Sequence, residues 1–167
     1  ESFDYNIETG FIIGDIYFET KDNNPFEIPD NNDAFLKWVQ KTALNFFIYN
    51  YRDIGQGKGY VLGANNHKMP ISIGGQAFGI AAFILAEQEG ILTPEETKKR
   101  IKSILKWMHD QDWYSGQDGW KGFPHHWYNV DGSPGIKGQG TSTVDWAIAA
   151  AGIRVARQYY KDDNEVY

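Results

Sequence analysis

From residue 33 onward the apolar positions recur with helical spacing in four separate stretches. In 33–51, Phe35, Trp38, Val39, Thr42, Phe46 and Tyr49 fall on one stripe while Lys37 and Lys41 fall off it, which predicts an amphipathic helix. The stretch 73–89, "IGGQAFGIAAFILAEQE", is apolar nearly all round, so it predicts a helix buried on several sides. Its glycines Gly74, Gly75 and Gly79 lower helix propensity and permit another backbone to approach closely. The third helix has a marked start: Thr93 suits the N-cap, Pro94 the first helical position and Glu96 the capping-box position. It is expected to run to about His109, with Ile101, Ile104, Leu105 and Met108 on one face and a basic opposite face. A fourth helix over 143–160 is small and apolar through "AIAAAGI" and is expected to be buried like the second. Ahead of these, "TGFIIGDIYFET" alternates apolar and polar residues and reads as a strand, followed by a linker "KDNNPFEIPDNN".

The order is therefore amphipathic, buried, amphipathic, buried. The link between the second and third helices is short, whereas 52–72 and 110–142 are long and carry aromatics, glycines and histidines. In successive antiparallel hairpins those two long connections emerge at one end, over the N-termini of the two buried helices. Long connections in a compact domain are commonly functional. This is the layout of an α/α toroid with outer and inner helices, preceded by a short β-type extension in 1–31. Four helices do not close such a ring, and nothing within the chain would cover the second and fourth on all sides. The chain is thus expected to be completed by further sequence or by another chain. Within 52–72, "GQGKGYVLG" reads as a flexible loop.

Composition narrows the partners. Sixteen basic residues stand against 22 acidic ones for a formal charge of −6, with no basic run, so nucleic acid is not expected. No apolar stretch approaches the length of a membrane span, so no membrane partner is expected either. The chain has no cysteine, which removes disulfides, thiol catalysis and zinc–thiolate sites. Aromatics make up 16% of the residues, and many lie in Gly-, Asn- and Asp-rich segments where a core does not account for them. Aromatic faces beside carboxylates suit a neutral, ring-shaped, hydroxyl-rich ligand.

The candidate chemistry lies in "GWKGFPHHWYNVDGSPGIKGQGTSTVDW". Asp145 is the strongest carboxylate. It also completes the capping-box pattern Ser142-Thr-Val-Asp145, and a helix N-terminus favours its anion, which suits a base or hydroxyl acceptor better than a proton donor. His126 could hydrogen-bond a hydroxyl, and His125 is expected to face another way. Trp113, Trp120, Trp127 and Tyr128 could together form a stacking platform, although loop packing would explain any one of them. Lys121 could bond hydroxyls or be solvated. Asp131, in Asp-Gly, reads as a turn residue. His67 and His109 lie far from the pair at 125–126, so no metal and no cofactor is expected. No nucleophile-elbow or phosphate-loop motif occurs.

The pieces "DAFLKWVQKTALNFF", "ISIGGQAFGIAAFILAEQEGILTPEETKKRIKSILKWM", "KGFPHHWYNVDG" and "STVDWAIAAAGIRVARQYY" follow one another in an order that resembles the glucoamylase-like domain family, over roughly 33–167. That family includes bacterial endo-β-1,2-glucanases. The resemblance implies the N-terminal portion of an (α/α)6 toroid and an inverting glycoside hydrolase on β-glucan, in an extracellular or periplasmic setting. By position it implies a catalytic role for Asp145 and a sugar contact for His126. Two departures stand out. Gly140 occupies a position where the family often has an acidic residue, and Pro124-His125 replaces an aromatic pair. A non-catalytic glycan-binding module or pseudoenzyme is therefore the alternative, and a helical domain that docks on a partner is a third. The strand "GFIIGDIYFE" is also similar to the closing strand of jelly-roll carbohydrate-binding modules, so 1–20 is either the tail of an upstream domain or an extension packed on the toroid.

Overall fold

The computed structural model describes residues 10–13, 16–19, 31–63, 71–115, 119–129, 131, 133 and 140–163. At its start are β1 (Gly10–Ile13) and β2 (Ile16–Glu19), paired antiparallel with Phe11 opposite Phe18. The single strand expected there is thus two strands. The linker that follows lies outside the described residues, as does His67.

Four helices make the body: α1 (Asn32–Asn50), α2 (Ile73–Gln88), α3 (Pro94–His109) and α4 (Thr143–Tyr159). Their starts follow from their caps. The Asn31 side chain accepts from the Ala34 N–H, Ser72 from Gly75, Thr93 from Glu96 and Ser142 from Asp145. At α3 the Glu96 carboxylate also accepts from the Thr93 N–H, which completes the expected capping box.

α2 is the central helix and packs on α1, on α3 and most extensively on α4. Its near-continuous burial matches its composition. α4 differs from expectation. Only Asp145, Ala149, Gly152 and Ala156 are buried, on the side facing α2, while Val144, Ala147, Ala151 and Val155 are exposed. A small apolar sequence states what a helix tolerates, and among the described residues α4 packs extensively on only one other helix, α2. The glycines act where the helices meet. A Cβ on Gly152 would lie 2.5 Å from the Ala77 Cα and 2.6 Å from its Cβ, and one on Gly79 would lie 2.7 Å from Val61 Cγ2. Gly152→Ala is expected to destabilise the protein, because overpacking of about 1–3 kcal/mol exceeds the roughly 1 kcal/mol gained in helix propensity. A thermal melt showing an unchanged or raised midpoint would refute this.

The connection 51–61 is not a flexible loop. It folds as a hairpin of β3 (Tyr51–Gly55) and β4 (Lys58–Val61), with Gln56 and Gly57 both at positive φ, 55° and 71°. This is the backbone of a two-residue turn that matches strand twist. The hairpin lies on α3, where Tyr60 meets Trp107 edge-on and Trp107 in turn meets Tyr128. Gln76 fixes it to α2. Its amide oxygen accepts from the Val61 N–H at 2.8 Å, and its amide nitrogen donates to the Val61 carbonyl at 3.0 Å and the Ser72 carbonyl at 2.9 Å.

Asp110, at the end of α3, ties this hairpin down with charge, 2.9 Å from Lys58 Nζ and 3.0 Å from Lys106 Nζ. Hydrogen bonds from Lys58, Lys106 and His109, in that order, hold its carboxyl well below the usual 3.8. The folded form therefore keeps Asp110 ionised where the unfolded chain has taken up the proton. Its contribution is present above about pH 4 and is lost as the pH falls toward the folded value. Denaturant midpoints measured downward from pH 5 are expected to fall, and less steeply in Asp110→Asn; equal slopes would contradict this.

Candidate active site

The two long connections meet where expected. β5 (Ile71–Ser72) pairs antiparallel with β8 (Trp127–Tyr128), and the Ile73 N–H donates to the His126 carbonyl. Just upstream, β6 (Gly119–Trp120) and β7 (Phe123–Pro124) form a hairpin whose turn residues Lys121 and Gly122 are both at positive φ, 50° and 87°. The chain from Pro124 to His126 then runs beside the approach to α4. The Pro124 carbonyl accepts from the Ser142 N–H, His125 bridges Thr141, and the His126 N–H donates to the Gly140 carbonyl. These contacts set His126 beside the first turn of α4.

That placement joins His126 to Asp145. The imidazole Nδ1 is hydrogen-bonded to Asp145 Oδ2. The capping box expected here forms only in half. Ser142 Oγ accepts from the Asp145 N–H at 3.1 Å, but the Ser142 N–H goes to Pro124, so the carboxylate is released to the histidine. The other oxygen, Oδ1, abuts the first turn of α2, where a Cβ on Gly74 would sit 2.7 Å from it. Asp145 is thus buried, 8% exposed, between the positive ends of two helices. His126 is more open, its side chain 38% exposed, and the Trp127 ring meets it edge-on at 4.3 Å. Gly140 borders this pair, and a Cβ there would meet nothing within 4 Å.

The other expected contacts divide. Trp120 is 55% exposed at the hairpin tip with Lys121 Nζ 4.1 Å above its ring, so both remain open to a ligand. Tyr128 does not. It is wholly buried against Trp107, a core residue with no free face, because β8 turns alternate side chains inward. Trp113 is partly buried against Trp146 at 4.8 Å and supports the loop from beneath. Asp131 closes its own turn by accepting from the Ser133 N–H, as its Asp-Gly setting predicts. Among the described residues no group of three His, Asp or Glu side chains could hold a metal ion, and no helix is long and apolar enough to cross a membrane.

Sequence reasoning missed Gln76, Trp146 and Tyr114. A lone glutamine inside an apolar helix is itself the signal of a buried polar group needing partners. Tyr114 lies 3.3 Å from where a Gly122 Cβ would be and is 80% exposed, beside the Trp120 hairpin. A groove of about 780 Å³ runs elsewhere, along α3 past Asp53, Lys99, Lys102 and Lys106. There Lys99 is paired with Asp53 and Lys106 with Asp110.

Comparison with solved structures places this architecture. A candidate glucoamylase from Bacteroides fragilis NCTC 9343 superposes with a TM-score of 0.59 at 25% identity, over 81% of this chain and 33% of its own. One from Bacteroides uniformis ATCC 8492 gives 0.61 at 24% identity, over 84% and 34%. The fold is a partial glucoamylase-like toroid. The His126–Asp145 pair lies at the N-termini of α2 and α4, the two helices that pack most extensively on one another. The chain spans about a third of the length of the structures it matches. No protein-family profile and no curated protein matches it.

Proposed function

We propose that the chain forms part of the catalytic domain of a glycoside hydrolase that acts on β-glucan by inversion, with β-1,2-glucan as the favoured substrate. The observation that carries this is the His126–Asp145 pair at the converging ends of α2 and α4, flanked by Trp127, beside a tethered hairpin that presents Trp120 and Lys121. Aromatic rings suit the apolar faces of sugars, and the paired groups suit their hydroxyls. Two names among solved structures of this fold, both candidate glucoamylases, support a glycosidase. Inversion needs an acid and a base about 6.5–9.5 Å apart. Of the acidic groups described, Asp145 alone stands at this site, and it is bonded to His126, so at least one carboxyl of the reacting pair is assigned to the remainder of the toroid. The same remainder, in further sequence or another chain, would cover the open face of α4. The setting proposed for such an enzyme is extracellular or periplasmic.

Reducing-sugar release on β-1,2-, β-1,3- and α-1,4-glucans by this chain beside the chain completed with the remainder of the toroid tests the reading, and the completed protein decides it. Release from β-1,2-glucan with an α-configured new end supports it in full. Release from α-1,4-glucan alone would keep a glycosidase and overturn the linkage. Gly140, open where an acidic residue would fit, favours a second reading as a glycan-binding pseudoenzyme. Binding of a glucan without turnover would select it.

A further inference from the structure

We propose that Asp145 acts through His126, holding the imidazole so that Nε2 faces the cleft as an acceptor for a sugar hydroxyl. The sugar rests on the function proposed above; the arrangement of the pair does not. Oδ2 of Asp145 is bonded to His126 Nδ1, Oδ1 lies close against the Gly74 turn, and the residue is 8% exposed. A substrate therefore reaches the histidine before the carboxylate. An ionised carboxylate only accepts, so Nδ1 carries the proton and donates it to Oδ2. That fixes the tautomer and leaves Nε2, on the other edge of the ring, with a lone pair. Among the described residues none is hydrogen-bonded to Nε2, and the side chain is 38% exposed. Trp127, edge-on to the ring, limits its rotation.

An acceptor at this point has a chemical consequence. It bonds a free hydroxyl, which can donate, and rejects a ring or glycosidic oxygen, which cannot. A sugar substituted at the hydroxyl that meets Nε2 would lose the contact. His126 is then the group that senses whether one position of the sugar is free, and Asp145 is its positioning residue.

The test is the histidine ring nitrogens themselves. In ¹⁵N-histidine-labelled protein, with His126 assigned by its absence in His126→Gln, long-range ¹H–¹⁵N spectra at alkaline pH are expected to show Nδ1 protonated and Nε2 unprotonated. Asp145→Asn should reverse the two, because an amide nitrogen donates to Nδ1 and drives the proton to Nε2. A protonated Nε2 in the unaltered protein would overturn the proposal, and that spectrum decides even where the variant fails to fold. Adding β-1,2-linked gluco-oligosaccharides is expected to shift the Nε2 resonance. The expected tautomer with no response to any of the three glucans would leave the pair standing and remove the sugar reading.

Discussion

Asp145→Asn is expected to lower β-glucan hydrolysis by about 100-fold or more, given what the wrong tautomer of a positioned histidine costs, while weakening glucan binding by no more than about tenfold, the worth of one hydroxyl contact. The substitution keeps size and shape, and Asp145 sits in a buried niche where the backbone N–H is already bonded to Ser142 Oγ. What changes is the group facing His126 Nδ1. A carboxylate accepts from it; an asparagine amide nitrogen donates to it and drives the proton to Nε2. The sugar then meets the wrong tautomer in an otherwise intact cleft. Steady-state rates with binding by titration calorimetry would separate the two quantities. Full activity in the variant would remove Asp145 from the chemistry, and loss of folding would be seen first in the circular dichroism.

Gln76→Leu is the second large effect, and it is structural. The glutamine amide satisfies the Val61 N–H and carbonyl together with the Ser72 carbonyl, all from a residue with no exposed surface. Leucine fits the volume but leaves three backbone groups without partners. At about 1–3 kcal/mol for each buried polar group left unpaired, a loss of at least about 3 kcal/mol is expected. Urea denaturation should show it, whereas Gln76→Glu, which keeps the acceptor oxygen but loses the amide donor, should fall between the two. A leucine variant as stable as the parent would mean that water or a shift of the hairpin repairs the gap.

The helices were legible because their ends are written in short-range chemistry. Thr93, Pro94 and Glu96 start α3 wherever they occur, and Asp131-Gly makes its own turn. The convergence of the two long connections was legible from their lengths, and the value of Gly74 and Gly79 from the cost of glycine in a helix. Three things were not. The β3–β4 hairpin was hidden because Gln56-Gly57 lacks the asparagine or aspartate that marks such turns, although the backbone is the same. The exposure of α4 was hidden because alanine and valine suit an open face waiting for a neighbour as well as a covered one. The partnership of Asp145 was hidden because Ser142-x-x-Asp is a local pattern, and only the strand-like run of 124–126 beside 140–142 draws the carboxylate away from its own cap. Tyr128 was misplaced for a related reason: an aromatic loop sequence does not say which of two neighbours turns inward.

Gly74 and Gly152 carry a consequence for how this sequence can vary. Neither bears a functional group, yet one sets the wall behind the Asp145 carboxylate and the other sets the separation of the helices that carry the site's two halves. In a saturation mutagenesis survey scored by activity, both positions would be as intolerant as His126. A library meant to alter substrate choice should hold them constant and spend its diversity at Tyr114, Trp120 and Lys121, which are exposed, and at Gly140, where an added side chain would meet open space.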